Sequence, residues 1–350
     1  MNAAFYTLGC KLNFSETSFI ANELKKEGVN EVEFNEIADI YIINTCSVTE
    51  KANKECKYLI RKALRKNPKG KIIIIGCYAQ LKPNEIKKIK GVDLILGNNE
   101  KFQLKKYISS LKKHKYPQVI RKEHTELNEF KSAFSFGERT RTFLKIQDGC
   151  NYKCTFCTIP MARGKSRSNS IHNIIQQIKN LQNNGIKEVI LTGVNIGDFK
   201  TDKKEKFIDL LRAIDTIDNI RVRISSIEPN LITSEIIDLV SKSKSITPHF
   251  HIPLQSGSDS ILKKMKRRYL TKNYRKVINE IQNKIKNVCI GVDVIVGFPG
   301  ETEDFFNETL NFLKELDISY LHVFSYSDRD NTESNFAKEV KDWFNEMQNT

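Results

Sequence analysis

The chain has 350 residues, of which 39% are hydrophobic and 28% charged, and its formal net charge is +15 at pH 7. This length allows two domains with separate cores, and the composition is that of a soluble globular protein. No apolar run reaches the about 18 residues of a membrane-spanning helix, and the N-terminus lacks a secretory pattern. We therefore expect a cytoplasmic protein without membrane contact, whose eight cysteines serve metal or redox chemistry rather than disulfides.

The positive charge has two interpretations. It favours a polyanionic partner such as RNA. A lysine-rich composition with solvated side chains along the whole chain explains it equally well, because clustering rather than total charge marks a binding footprint. Charge alone leaves both interpretations open.

Residues 1–112 predict a small α/β domain. Short apolar strands alternate with helices in this region, and that alternation is typical of a parallel sheet. In chain order we predict a strand at 4–8, a helix at 15–28, a strand at 40–44, a helix at 50–67, and strands at 71–76 and 92–97.

The remaining chain predicts a linker and a second α/β domain. Residues 113–138 have weak periodicity and read as the linker. From 139 to 332, six strand-like runs alternate with helices, which predicts a (β/α)6 partial TIM barrel with its sites at the C-terminal strand ends. The predicted strands are 141–147, 188–194, 220–227, 249–254, 288–297 and 320–325.

Three cysteines lie directly after the first barrel strand: Cys150, Cys154 and Cys157, the barrel triplet. Three thiolates can hold three irons of a 4Fe–4S cluster and leave the fourth iron open to a small molecule that accepts an electron. A zinc knuckle would need a fourth cysteine or histidine at short spacing, and none follows before His172. The spacing therefore favours a catalytic iron–sulfur cluster.

A second set of cysteines, the N-terminal triplet, comprises Cys10, Cys46 and Cys77. Each follows the predicted C-terminal end of a strand in the first domain. Because the carboxyl ends of parallel strands share one edge, the three thiols could converge on a second cluster. Three unrelated buried cysteines remain the alternative.

Several strand ends of the second domain are rich in glycine and polar residues. Glycine lets the backbone approach a ligand closely, and hydroxyls or carboxylates can hold an amino-acid or ribose group. Any one of these ends could be an ordinary turn, but several around one barrel mouth indicate a cofactor pocket. The candidate residues are Thr192, Gly193, Asn195, Ser226, Glu228, Gln255 and Gly297.

Two clusters of basic residues flank the same mouth. Their side chains could hold RNA phosphates, and a tyrosine among them could stack on a base. A solvated helix face is the alternative interpretation. The candidate RNA contacts are Arg163, Lys165, Arg167, Arg267, Arg268 and Tyr269.

Taken together, the motifs resemble a known family. The Cys-x-x-x-Cys-x-x-Cys motif after a first barrel strand is similar to the radical S-adenosylmethionine (SAM) superfamily. The motifs around the N-terminal triplet, and those at 223–229, 251–258 and 293–302, resemble methylthiotransferases, a likeness that covers residues 4–332. Residues 6–13 and 322–327 are most similar to the branch that acts on N6-threonylcarbamoyladenosine at tRNA position 37.

This resemblance implies two 4Fe–4S clusters and SAM as cofactors. The cluster on the barrel triplet would reduce SAM to a 5′-deoxyadenosyl radical, which would take hydrogen from C2 of the adenine. The cluster on the N-terminal triplet would carry the methylated sulfur that is delivered to this carbon. The implied partners are a tRNA anticodon loop and a reducing electron donor, and we expect a monomer.

Family members usually continue into a small RNA-binding β-barrel, the TRAM domain. Here residues 333–350 predict only a helix and a polar tail, so we expect the TRAM domain to be absent. Sister branches that act on isopentenyladenosine in tRNA or on a ribosomal-protein aspartate are alternatives. From another class, the chain could be a truncated, catalytically dead iron–sulfur RNA-binding protein, against which the intact cysteine triplets argue.

Overall fold

A computed structural model describes residues 1–47, 50–108, 111, 116–135 and 141–336. The chain divides into two compact units. Unit 1 comprises Met1–Asn151 and Ile159–Arg167, and unit 2 comprises Tyr152–Thr158 and Ser168–Thr350. The domain boundaries expected from sequence, at 112 and 139, stay a prediction beside this division. Among the described helices, none combines the length and apolarity needed to cross a membrane.

Unit 1 contains a six-stranded parallel sheet with the strand order β2-β1-β3-β4-β5-β6. The predicted parallel sheet is therefore confirmed. Along the chain, the elements are β1 (Asn2–Thr7), α1 (Lys11–Lys26), β2 (Asn30–Val32), β3 (Ile40–Thr45), α2 (Glu50–Lys66), β4 (Lys71–Gly76), α3 (Cys77–Leu81), α4 (Pro83–Lys87), β5 (Val92–Leu96), α5 (Leu104–Ile108), β6 (Gln118–Ile120), β7 (Arg141–Lys145), β8 (Gln147–Asp148) and α6 (Ile159–Arg163).

The central strands are apolar on both faces because helices cover the sheet on both sides. In β4, Ile72 and Ile74 contribute to one core, while Ile73 and Ile75 contribute to the other. The first core includes residues of α2, and the second includes residues of α1. A run of consecutive isoleucines is the pattern expected of such a doubly covered strand.

The predicted linker at 113–138 is only partly a connecting segment. Residues 112–115 and 136–140 lie outside the described residues, but Gln118–Ile120 pairs in parallel with β5 as the sixth strand of the sheet. Three residues are too few for alternating burial to be recognised in the sequence. Residues 118–120 therefore belong to the sheet of unit 1, and the linker bounds stay a prediction.

The elements that follow along the chain alternate between helix and strand. They are β9 (Arg167–Ser168), α7 (Ile171–Asn183), β10 (Glu188–Thr192), α8 (Phe207–Asp215), β11 (Arg221–Ile224), α9 (Ser234–Lys242), β12 (His249–His251), α10 (Asp259–Lys264), α11 (Thr271–Lys284), β13 (Cys289–Val296), α12 (Glu303–Lys314) and β14 (Tyr320–Ser325). Three helices begin at hydroxyl caps: the side chains of Ser170, Thr233 and Thr302 accept hydrogen bonds from backbone N–H groups of the first turn.

The strands of unit 2 run parallel. β10 pairs with β11, and β12, β13 and β14 form a second parallel group. Parallel bridges join Val222 to Ile246 and Ser226 to His251. A strand lies within each of the six ranges predicted for the barrel, so the expected fold class is confirmed. The helix and tail predicted at 333–350 lie mostly outside the described residues. The first four of these residues are described, and Glu333–Phe336 form a 3₁₀ turn.

Candidate functional site

The N-terminal triplet lies at the carboxyl edge of the unit 1 sheet. Cys10 directly precedes α1 after β1, Cys46 follows β3, and Cys77 opens α3 after β4. These three strands are neighbours, and their ends are in register. Three thiols that are far apart in sequence therefore reach one edge of the sheet, where the sequence places them.

Two glycines allow the loops that carry these cysteines to approach each other. Gly9 has φ 98°, and a Cβ on it would lie 2.6 Å from Cys46 Cβ and 2.8 Å from its Sγ. Gly76 has φ 96°, and its Cβ would lie 2.3 Å from Asn44 Oδ1. A Cβ at either position would clash with these atoms, and the positive φ disfavours other residues, so the close approach depends on both glycines.

Amide side chains brace the same loops. Asn13 donates from Nδ2 to the carbonyl oxygens of Leu8 (2.9 Å) and Thr45 (3.1 Å), which stand just before the Cys10 and Cys46 loops. Asn98 Nδ2 lies 3.8 Å from Cys77 Sγ and donates to the carbonyl oxygen of Ala162 at 2.6 Å. The thiol-bearing loops are thus fixed by buried hydrogen bonds rather than by packing alone.

Beneath this edge lies a set of buried charged residues that we call the Glu16 cluster: Glu16, Lys101, Lys145, Asp148 and Arg163. Glu16 Oε1 accepts hydrogen bonds from Lys145 Nζ (2.8 Å) and Arg163 Nη1 (3.1 Å). Its Oε2 accepts from Lys101 Nζ (2.5 Å) and Arg163 Nη2 (3.0 Å). Asp148 pairs with Lys145 and Arg163 at 2.6 and 3.0 Å. All five side chains are at most 5% exposed.

The buried cations of this cluster lower the pKa values of its two carboxyl groups. Burial raises the pKa of Glu16, but the attraction of Arg163, Lys101 and Lys145 outweighs burial and holds this pKa well below its ordinary value. For Asp148 burial is again the largest influence, and the neighbouring cations, Lys145 first, reverse it and lower the pKa. Both carboxylates are therefore ionised at neutral pH.

The first cysteine of the barrel triplet belongs to unit 1. Gly149 adopts φ 71°, with its N–H donating to Asp148 Oδ1 at 2.8 Å, and a Cβ on it would lie 2.1 Å from the carbonyl oxygen of Lys165. The N–H of Cys150 donates to the carbonyl oxygen of Gly164 at 3.1 Å. The Glu16 cluster, through Asp148, therefore also positions the chain at Cys150.

The other two cysteines of the barrel triplet lie in unit 2. The N–H of Cys157 donates to the carbonyl oxygen of Cys154 at 3.1 Å. Arg267 Nη1 donates to Cys154 Sγ at 3.0 Å, and the same guanidinium forms an ion pair with Glu228. Burial raises the pKa of the Cys154 thiol, and Arg267 opposes this effect. A cation against a thiol is the environment that stabilises a thiolate ligand.

A polar group on the β12–β14 strands escaped sequence reasoning. His251 Nε2 lies 2.8 Å and His322 Nδ1 3.1 Å from Asp293 Oδ1, and His251 Nδ1 lies 2.7 Å from Ser226 Oγ. Within the described ranges, this is the one set of three whose ligand-type atoms all lie within 4.8 Å of one another. The available signal was Asp293, a single carboxylate inside the apolar strand β13.

This group lies on the more open face of its strands. In β13, Val292 and Val294 are buried, whereas Asp293 is partly exposed. The His322 side chain is 54% exposed. The rings of Tyr320 and Phe324 neighbour His322, with centroids 5.2 and 6.4 Å away. The open face therefore presents a row of three flat rings, of which Tyr320 and His322 also carry hydrogen-bonding atoms.

The residues predicted to hold a cofactor lie at the carboxyl ends of strands in unit 2 or shortly after them. Ser226 contacts His251, and Gln255, at φ 70°, bridges to Val294 of β13. Glu228 is engaged by Arg267, while the Thr192 hydroxyl is buried and donates to the carbonyl oxygen of Ile190. Gly193 and Asn195 follow β10, and Gly297, at φ 79°, follows β13.

Three of the residues predicted to contact RNA, Arg163, Arg267 and Tyr269, bond within the protein in this structure. Arg163 is buried between the two carboxylates of the Glu16 cluster. Arg267 is 4% exposed, and Tyr269 donates its buried hydroxyl to the carbonyl oxygens of Pro253 and Leu254. The local sequence shows that these side chains are basic or aromatic, but it does not show the buried groups with which they bond.

The remaining predicted RNA contacts differ in availability. Lys165 and Arg268 are exposed. The Arg268 guanidinium lies over the Tyr152 ring, 3.8 Å from its centroid. Arg167 is mostly occupied, because it pairs with Asp148 and donates to backbone carbonyl oxygens. Of the six residues predicted to contact RNA, Lys165 and Arg268 are therefore the exposed ones.

Comparison with known proteins defines the class. Residues 144–313 match the radical SAM superfamily, and residues 2–97 match the uncharacterized protein family UPF0004. The fold is similar to the radical SAM methyltransferase TsrM from Kitasatospora setae, solved with cobalamin and a 4Fe–4S cluster, with a TM-score of 0.68 at 13% identity over 95% of this chain and 77% of that one. This is a radical SAM protein.

Curated relatives narrow the class. The chain is 43% identical to the threonylcarbamoyladenosine tRNA methylthiotransferase MtaB of Bacillus subtilis, over 94% of this chain and 74% of the relative. It is 41% identical to MtaB of Aquifex aeolicus over 97% and 83%. A tRNA-2-methylthio-N(6)-dimethylallyladenosine synthase of Clostridium botulinum is 37% identical over 93% and 74%. The chain belongs to the radical SAM methylthiotransferase family, in the MtaB branch.

Proposed function

We propose that this chain is a transferase that inserts a methylthio group at C2 of N6-threonylcarbamoyladenosine at tRNA position 37. The observation that carries the proposal is the identity of 43% and 41% with relatives of that activity, over nearly the whole chain. Relatives that act on dimethylallyladenosine reach 37%. Both groups act on tRNA, so an RNA substrate is common to the alternatives.

Radical SAM proteins use a 4Fe–4S cluster and SAM, and the barrel triplet would hold this cluster. The donor set fits, because three thiols can ligate three irons and leave one iron for SAM. Arg267 supports the fit, since its guanidinium donates to Cys154 Sγ at 3.0 Å. Thr155 fixes the loop between the ligands: its N–H donates to the carbonyl oxygen of Met265 at 3.2 Å.

We place a second 4Fe–4S cluster on the N-terminal triplet. The cradle of Gly9 and Gly76 brings the thiol-bearing loops together, and the buried amides of Asn13 and Asn98 hold them. When bound, the two clusters and SAM supply the radical and the sulfur that this reaction needs. An aromatic C–H has neither an acidic proton nor a leaving group, so side-chain acid–base chemistry alone cannot replace this hydrogen.

The protein itself would bind and orient the RNA. Lys165 and Arg268 are exposed cations available to phosphates. The open face of β12–β14 would receive the adenine, because flat side chains such as Phe324 stack on single-stranded bases. Asp293 fixes the tautomer and orientation of His322, whose outward edge could then bind the substituent of the base.

The proposal is tested by reconstituting the purified chain with iron and sulfide in the absence of oxygen. We expect about eight irons per chain, and about four in a Cys10→Ala/Cys46→Ala/Cys77→Ala variant. With SAM and a reductant, the loaded protein should modify tRNA that carries N6-threonylcarbamoyladenosine and leave tRNA that carries isopentenyladenosine unchanged. Four irons in the unmodified chain would remove the second cluster, and the opposite tRNA preference would assign it to the sister branch.

A further inference from the structure

We propose that the Glu16 cluster carries an excess of buried positive charge at Lys101 and Arg163 that compensates the negative charge of the iron–sulfur group on the N-terminal triplet and favours its reduction. This inference rests on the proposed function, since it takes a cluster on that triplet as given. It assigns Lys101 a role as a positioning and tuning residue, not as a catalytic one.

The Glu16 cluster contains more buried cations than buried carboxylates. Three fully buried cations, Lys101, Lys145 and Arg163, face only two buried carboxylates, Glu16 and Asp148. Arg167, whose side chain is 11% exposed, adds a further cation to Asp148.

Glu100 directly precedes Lys101 and is also buried. Its Oε2 lies over Gly97, 2.5 Å from where a Cβ would stand. The five side chains of the Glu16 cluster together carry a net positive charge, and a buried charge without a partner of opposite sign is destabilising.

The positive charge of Lys101 lies close to the N-terminal triplet, on the side of Cys77. Lys101 Nζ donates to Asn98 Oδ1 at 2.8 Å, and Asn98 Nδ2 lies 3.8 Å from Cys77 Sγ. One amide side chain, that of Asn98, therefore separates the Lys101 cation from Cys77 Sγ, where a thiolate-bound iron–sulfur group would bring negative charge.

The consequence concerns reduction. An iron–sulfur cluster held by thiolates gains a further negative charge when it accepts an electron, and charges and hydrogen bonds around the sulfurs set its potential. Fixed buried cations stabilise the reduced form more than the oxidised form. They act strongly because buried charges are screened much less than exposed ones.

Lys101 is a better test than Arg163. Arg163 Nη2 also donates to Asn13 Oδ1 at 2.6 Å, and Asn13 braces the cysteine loops, so its removal would disturb the cradle itself. Removal of Lys101 leaves two buried cations against two carboxylates, and Glu16 keeps Arg163 and Lys145 as partners. The apoprotein should therefore still fold.

The experiment uses the full chain with the barrel triplet changed to alanine, which leaves only the N-terminal cluster. In this parent we compare Lys101→Met, Lys101→Arg and the control Lys105→Met, whose side chain is 53% exposed in α5. The midpoint potential is measured by redox titration followed by electron paramagnetic resonance. Lys101→Met should shift it to more negative values by about 59 mV or more, a tenfold change for one electron.

The controls separate the possible outcomes. Lys105→Met should leave the potential at the parent value, and Lys101→Arg should stay closer to the parent than Lys101→Met. Iron loading by Lys101→Arg but not by Lys101→Met would support the charge requirement. Equal potentials in Lys101→Met and Lys105→Met, or loss of iron in both Lys101 variants, would overturn the inference. A parent that binds no iron would instead overturn the second cluster of the proposed function and the inference with it.

Discussion

The substitution Glu16→Gln should destabilise unit 1 strongly. Glutamine keeps the size of the side chain but loses the charge, and its NH2 group would face cations in place of an acceptor. Glu16 accepts four charge-assisted hydrogen bonds in a fully buried site, and its loss would leave three buried cations facing Asp148 alone. Breaking a buried ion pair from one side typically costs about 3–5 kcal/mol. We expect a decrease of this size in the free energy of unfolding at pH 7.

Native-state hydrogen exchange measures this loss where it occurs. The amides of β3 and β4 lie at the centre of the unit 1 sheet and report on its opening. A loss of about 3–5 kcal/mol corresponds to exchange that is on the order of 10² to 10⁴ times faster, at tenfold per about 1.4 kcal/mol.

The matched control is Glu23→Gln in the same helix. Glu23 pairs with Lys26 at the surface, with the two side chains 36% and 66% exposed. An exposed pair of this kind contributes about 0.5 kcal/mol or less, so exchange in β3 and β4 should change less than about threefold. If Glu16→Gln behaved like Glu23→Gln, the Glu16 cluster would not stabilise unit 1.

Three further predictions follow from the same contacts. The pKa of Glu16 is lowered on folding, so its stabilisation is present above pH about 4.3 and is lost as pH falls through the folded-state value; acid unfolding curves of the wild type and Glu16→Gln should therefore converge. Arg267→Met should slow reductive SAM cleavage about tenfold or more, with Arg267→Lys intermediate, because Cys154 loses its cationic partner; equal rates in all three proteins would exclude this role. His322→Ala should raise the KM for tRNA while SAM cleavage without tRNA stays unchanged, and an unchanged KM would exclude the base-binding face proposed for β12–β14.

The features that sequence predicted well are local or periodic. The isoleucine run of β4 identifies a doubly covered parallel strand, and the parallel sheet then determines that Cys10, Cys46 and Cys77 share an edge. The spacing of Cys150, Cys154 and Cys157 is likewise visible without a structure.

The features that sequence missed depend on distant partners. Glu16 and Arg163 are 147 residues apart, and nothing in the neighbourhood of Arg163 indicates that it is buried. For this reason the basic clusters predict an RNA surface, whereas Arg163, Arg267 and Tyr269 bond within the protein. The His251–Asp293–His322 group is similarly assembled from three strands, so no single motif contains it.

The central claim is the identity of the reaction, and tRNA from cells with and without the gene tests it most directly. Nucleosides are released by digestion and identified by mass spectrometry. We predict that the 2-methylthio derivative of N6-threonylcarbamoyladenosine disappears without the gene, that its unmethylthiolated precursor accumulates, and that a gene encoding the Cys10→Ala/Cys46→Ala/Cys77→Ala variant fails to restore it. Persistence of this nucleoside, with the methylthio derivative of isopentenyladenosine missing instead, would contradict the account.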